Sequence, residues 1–187
     1  MAYETPLTIA EVMQNISANK YVLPSIQREY VWSTNQIETL FDSLMRDYPI
    51  GTFLFWEIDK EYVKKFDFYE FIKNYSENQN IHNQKTNLSG SDCVTAVLDG
   101  QQRLTSIYLG LKGTYAYKTK YLARKNQNAY PARKLYLNLL SSSNDSDNEY
   151  DFKFLSDKEV KNNQNVHWFE VGKILDMRED GDVSMYV

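Results

Sequence analysis

The residues best suited to chemistry are five consecutive ones, Asp99-Gly100-Gln101-Gln102-Arg103. They lie between an apolar run, Val94-Thr95-Ala96-Val97-Leu98, and a stretch in which Leu104, Ile107, Tyr108 and Leu111 fall on one face of a helix. The pattern predicts a short strand, a turn, and a helix from Gln101 to about Leu111. A helix start exposes backbone N–H groups at the positive end of the helix dipole, and both attract phosphate. Gly100 lets the chain turn sharply and lets an anion approach with no Cβ in the way. Arg103 falls in the first helical turn, where its guanidinium can grip the same anion through two parallel N–H bonds. Gln101 and Gln102 can donate to phosphate oxygens or orient a water, and Asp99 at the strand end can hold magnesium. The expected catalytic set is therefore Asp99, Gln101, Gln102 and Arg103, with Gly100 and Arg103 binding nucleotide and Asp99 as the metal ligand. The same pentapeptide also describes a ligand-free junction, because Asp caps helices and Gly turns chains wherever strand meets helix. It is not a P-loop, since no Gly-x-x-x-x-Gly-Lys-Ser/Thr occurs.

A second group is Gln27 and Arg28 with Tyr30 and Trp32, in a segment from Ser25 to Trp32 that has no period and reads as a binding loop. An Arg among aromatic rings can hold a phosphate while a ring stacks on a base, which makes Gln27, Arg28 and Tyr30 candidate nucleotide contacts. The alternative is a surface Arg beside two core rings. Other chemistry is thin. No Ser/His/Asp arrangement occurs, the only imidazoles are His82 and His167, and no Cys/His spacing suggests zinc. Cys93 precedes an apolar run and reads as a buried thiol. Asp147, Glu149 and Asp151 read as solvated charges, as do Lys60, Glu61, Lys64, Lys65 and Asp67. His167-Trp168 reads as packing.

Several elements must position these residues. Thr8 with Glu11 forms a capping box ahead of Ile9, Val12, Met13 and Ile16, and Ser33 with Gln36 forms another ahead of Ile37, Leu40, Phe41, Leu44 and Met45. Tyr21-Val22-Leu23 is extended and stopped by Pro24. Thr52 to Ile58 reads as a buried strand after the terminator Tyr48-Pro49-Ile50-Gly51. Residues 62–75 suit a short helix or a hairpin, and 74–92 an exposed loop. Strands are expected over 134–140, 150–155 and 166–171, with a short helical piece from Gly172.

With 187 residues, 42% of them hydrophobic, the chain suffices for one domain with a real core. A net charge of -4 argues against holding nucleic acid by bulk electrostatics and leaves a local basic groove open. One cysteine excludes an internal disulfide and fits a reducing compartment. The N-terminus has no signal-peptide pattern, and no apolar run approaches the roughly 20 residues that cross a bilayer. The expectation is a cytoplasmic protein with no membrane partner.

Three segments, taken in order, resemble a known family. Leu23-Pro24-Ser25-Ile26-Gln27-Arg28-Glu29-Tyr30-Val31-Trp32, Tyr48-Pro49-Ile50-Gly51 and Leu98-Asp99-Gly100-Gln101-Gln102-Arg103-Leu104-Thr105 look like the successive signatures of the GmrSD-type restriction N-terminal domain. The resemblance implies an α+β fold of the ParB/sulfiredoxin-like kind, a mixed sheet flanked by helices. It implies one nucleotide-binding domain over 1–187, with a motif core about 8–111 and further strands and the start of a following region over 112–187. It implies binding and hydrolysis of a nucleoside triphosphate, with magnesium, coupled to DNA restriction and phage defence. Asp99, Gly100, Gln101, Gln102 and Arg103 would form the principal site and Gln27 and Arg28 its facing side. Such proteins commonly continue into an HNH-type nuclease domain or subunit. No such site is visible here, so no nuclease activity is expected of this chain, and DNA would be met through the full-length protein. An oligomer is compatible with the resemblance. The competing expectation is a non-catalytic ParB-like module that binds DNA or a partner.

Overall fold

A computed structural model describes residues 5–25, 29–63, 65–79, 82–88, 93–143, 147–162 and 166–177. Helices and mixed sheets together make the fold α+β. The chain divides into two compact units, one from Met1–Glu29, Thr52–Phe71 and Asn83–Gln101, the other from Tyr30–Gly51, Ile72–His82 and Gln102–Val187.

In the first unit, helix α1 (Ile9–Ser17) begins at the expected capping box. Thr8 Oγ1 accepts from the Glu11 amide at 3.2 Å, and the Glu11 carboxylate accepts from the Thr8 amide at 2.8 Å. Four strands, β1 (Tyr21–Pro24), β2 (Leu54–Asp59), β3 (Phe68–Tyr69) and β5 (Cys93–Asp99), form a sheet in the order β2-β5-β1-β3. β5 runs parallel to β1 and antiparallel to β2, with Asp99 opposite Leu54. A helical turn, α3 (Lys60–Val63), follows β2. Val22, Ile58, Val63, Phe68, Val94 and Ala96 make this unit's core. Pro24 ends β1 opposite Phe68 instead of lying beyond it.

Two expectations are corrected here. β2 is an edge strand rather than a buried one: Leu54, Phe55 and Trp56 are each about two-fifths exposed, and only Ile58 is fully inside. An edge strand is bonded on one side only, and the exposed rings lean on others, Trp56 on Phe66 and Phe55 on Tyr21. Cys93 is exposed at the first position of β5, where the apolar run has not yet entered the core.

In the second unit, β4 (Asn74–Ser76), β6 (Thr114–Ala116), β7 (Ala132–Ser142) and β8 (Tyr150–Leu155) lie in that order, and β9 (Trp168–Glu170) also pairs with β7. β4 runs parallel to β6, so Asn74–Ser76 belongs to a sheet and not to the expected loop. Helix α2 (Thr34–Met45) starts at the expected Ser33–Gln36 box. It carries two carboxylates one turn apart that cap backbone N–H groups at β8. Asp42 Oδ1 accepts from Glu149 and Tyr150 at 2.9 and 2.8 Å, and Glu38 Oε1 accepts from Phe154 at 3.2 Å. Asp151, expected in solvent, is buried and accepts from the Asn138 side-chain amide at 3.1 Å. It lies inside a strand, and the Lys153 ammonium at 3.1 Å offsets its charge.

Helix α4 (Gln101–Leu111) has the expected bounds but is not amphipathic. Thr105, Ser106, Leu109 and Gly110 are buried along with Leu104, Ile107 and Tyr108, as in a helix covered all round. The Ser106 hydroxyl is accommodated by donating to the Gln102 carbonyl at 2.7 Å. A Cβ on Gly110 would occupy the space of the Phe41 ring. Tyr30, Ile37, Phe41, Ile72, Leu109, Tyr115, Leu135, Phe152, Phe154 and Val171 form the core of this unit. A short helix, α5 (Asp157–Asn162), follows β8.

Candidate functional site

The turn between β5 and α4 is built as the sequence demands. Gly100 has φ +85°, a conformation that costs any residue with a Cβ about 1–2 kcal/mol. Gln101 is nearly buried, and its side-chain amide donates to the carbonyls of Val97 at 2.7 Å and Leu98 at 3.4 Å. That amide stitches the first residue of the helix to the end of the strand, so its geometry is that of a positioning group. Asp99 is exposed at the last position of β5. Among the described residues no group of three or more His, Cys, Asp or Glu side chains could hold a metal ion.

In the second unit, Arg103 is held by a segment far away in sequence. Its guanidinium donates to the Ile50 carbonyl through Nη1. Gly51, with φ +86°, lies against that guanidinium, and a Cβ there would overlap Nη1. The Tyr48-Pro49-Ile50-Gly51 segment is thus more than a helix stop: it is the seat of Arg103. A guanidinium carries five N–H donors in a fixed planar fork, so a contact through Nη1 sets the direction of the whole group. Gln102 is anchored too, its Oε1 accepting from the Val31 amide at 3.1 Å. Tyr30 shares a 2.8 Å hydroxyl contact with Ser106, one helical turn beyond Gln102, and its ring packs edge-on to Tyr75 at 5.6 Å. Burial pushes the Tyr30 hydroxyl well above its ordinary pKa, the Ser106 bond offsetting part of that. Tyr30, expected to contact a nucleotide, is a core ring and holds the aromatic loop to α4.

Parts of all three sequence signatures therefore meet at the first turn of α4: Tyr30 and Val31 from the first, Ile50 and Gly51 from the second, Gln102 and Arg103 from the third. Gln27 and Arg28 lie outside the described residues. Sequence reasoning named Gly51 only as a helix stop and as part of the second signature, not as the seat of Arg103, and it missed Ser106, which carried no signal beyond lying on the helix.

Among known proteins, a family model described as the GmrSD restriction endonuclease, N-terminal domain, matches residues 9–180. An uncharacterized protein of Methanocaldococcus jannaschii is 35% identical over 104 residues, which is 55% of this chain and 16% of that relative. The chain thus matches about a sixth of that relative's length. No helix among the described residues is long and apolar enough to cross a membrane.

Proposed function

The chain belongs to the GmrSD restriction endonuclease N-terminal domain family, and on that premise we propose that it binds and hydrolyses a nucleoside triphosphate. It does so as the regulatory part of a DNA-restriction and phage-defence protein whose nuclease domain or subunit is separate. The observation that carries this reading is the seating of Arg103 on Ile50 beside Gly51. The second segment orients a cation of the third, in the first turn of a helix that follows a left-handed glycine, and the first segment anchors its neighbour Gln102.

In this reading the backbone N–H groups at the start of α4 and the Arg103 guanidinium bind the phosphates. Arg28 and Gln27 join them on the strength of the family resemblance. Gln102, held by Val31, orients the attacking water; Gln101 and Tyr30 hold the turn and the loop in register. Asp99 would hold magnesium, which neutralises charge developing on the phosphates. Catalysis of this kind is mostly positioning and electrostatics, and a rigidly seated Arg serves both. The mixed sheet leading through a glycine turn into α4 supports a ParB/sulfiredoxin-like fold.

The test is a thermal-shift panel of nucleoside triphosphates with magnesium, read beside phosphate release. Nucleotide at about a hundredfold its Kd stabilises the binding-competent fold by about 2.7 kcal/mol, a rise of a few degrees. Arg103→Lys keeps a charge but loses the fork, and is expected to remove most of that rise while leaving the unliganded melt cooperative. Asp99→Asn is expected to remove the magnesium dependence and the phosphate release. A wild-type melt indifferent to every common nucleotide overturns the proposal.

A further inference from the structure

Between Asp99 and Asp145 the chain has no Asp or Glu at all, yet it carries eight cations: Arg103, Lys112, Lys118, Lys120, Arg124, Lys125, Arg133 and Lys134. In a protein of net charge -4 this is a strong segregation. Some of these charges are spent within the fold. Arg103 is seated on Ile50, Lys134 pairs with Glu170 at 2.6 Å, and Arg133 is buried and bonded to Glu159 at 3.1 Å. Lys118, Lys120, Arg124 and Lys125 are different. All four lie in the connection between β6 and β7, and none has an ion-pair partner among the described residues.

That connection is built, not slack. The Thr119 amide donates to the Ala129 carbonyl at 2.7 Å, across the two stems. Ala129 is fully buried, and a 3-10 turn over Gln127–Ala129 is capped by Asn126, whose Oδ1 accepts from Asn128 at 2.9 Å. Arg133 clamps both stems from below, donating to the Tyr117 carbonyl at 2.9 Å, Thr119 Oγ1 at 3.1 Å and the Pro131 carbonyl at 3.4 Å, with its guanidinium 3.8 Å over the Tyr117 ring. Tyr121 is the third residue of a turn closed by the Leu122 amide, which donates to the Thr119 carbonyl at 3.4 Å. The turn accounts for its left-handed φ of +68° and presents the ring wholly to water.

We infer that the 117–131 loop is a nucleic-acid contact surface, in which Lys118, Lys120, Arg124 and Lys125 neutralise backbone phosphates and Tyr121 stacks on an accessible base. Clustered cations alone would serve any polyanion. The exposed ring between them favours a nucleic-acid strand with an unpaired base over an acidic protein, because base stacking on an aromatic is the contact that such a strand adds. This surface stands apart from the nucleotide reading and survives if that reading fails.

The test uses the full chain and a fluorescein-labelled oligothymidylate, followed by anisotropy at several salt concentrations, with polyglutamate as competitor. Wild type is expected to bind at low salt and weaken as salt rises. The triple variant Lys120→Gln, Arg124→Gln, Lys125→Gln is expected to lower the slope of log affinity against log salt by about 2, from roughly 0.7 per phosphate contact. Tyr121→Ala is expected to weaken binding on the order of tenfold without changing that slope. Both variants alter exposed side chains, so an unchanged melting temperature verifies the fold, and an unchanged nucleotide-induced shift separates this surface from Arg103. Absence of binding at about 50 mM salt, indifference to either variant, or equal displacement by polyglutamate charge for charge overturns the inference.

Discussion

Gly51 and Gly100 both hold left-handed backbone, at φ +86° and +85°, but for different reasons. Gly100 turns the chain from β5 into α4, whereas Gly51 must also leave room for the Arg103 guanidinium. Substituting alanine at Gly100 is expected to cost about 1–2 kcal/mol, the ordinary penalty of a Cβ at that φ. Gly51→Ala carries the same penalty and in addition pushes Arg103 off the Ile50 carbonyl. Urea melts are expected to show the larger loss for Gly51→Ala. Glu38 offers a prediction of another kind. Burial, with help from the nearby Asp151 charge, lifts its carboxyl from the usual 4.5 to about 7, against the pull of the Phe154 amide and Lys153. The folded protein thus holds this proton more tightly than the unfolded chain does. The stabilising contribution is complete below about pH 4.5 and is lost as the pH rises through about 7. Denaturant midpoints for wild type should fall across that window by the equivalent of about 3 kcal/mol, and those of Glu38→Gln should stay flat.

At the scale of elements, Arg133 bonds four residues at once, Tyr117, Thr119, Pro131 and Glu159. It joins the stems of the β6–β7 loop to Glu159 on α5, and Glu159 also accepts from the Ser156 amide and hydroxyl at 2.8 and 2.7 Å. Partial burial works to raise the Glu159 pKa, but the Ser156 bonds and the Arg133 charge prevail and hold it low. Arg133 is buried but Glu159 is partly exposed, so the loss in Arg133→Ala comes chiefly from the Tyr117 and Pro131 carbonyls left without their donor, and is expected at about 1–3 kcal/mol by urea melt. Arg133→Lys should recover little of it, because an ammonium cannot span the same acceptors. None of this was visible beforehand, since Arg133 stands in a strand-like run that looks solvent-facing. What could be read locally was the starts of α1, α2 and α4, where capping residues or Gly100 sit beside the periodic run. The core of the turn, Asp99 to Arg103, was legible on the same ground. The membership of Asn74–Ser76 in a sheet was not, because its parallel partner Thr114–Ala116 lies 40 positions on and neither segment alternates. The seat of Arg103 was hidden for the same reason, 53 positions away at Ile50.

For the molecule as a whole, the signatures and the folding unit do not coincide. The three short signatures end before Leu111, yet Tyr115, Leu135, Phe152, Phe154 and Val171 of the second core lie beyond it, within the 9–180 span of the family match. A chain ended at Leu111 is expected to lose its cooperative thermal transition, as followed by circular dichroism, despite retaining every residue of the turn. Each unit is also drawn from three separate stretches of chain. In the first sheet β5 stands between β2 and β1, so the strand that joins those two is the last to be made. A ribosome releasing this chain therefore has nearly a hundred residues in the open before the first sheet can close, and more before β6 gives β4 its partner. Protection of the nascent chain by chaperones, rather than piecewise folding during translation, is what such an interleaved order calls for.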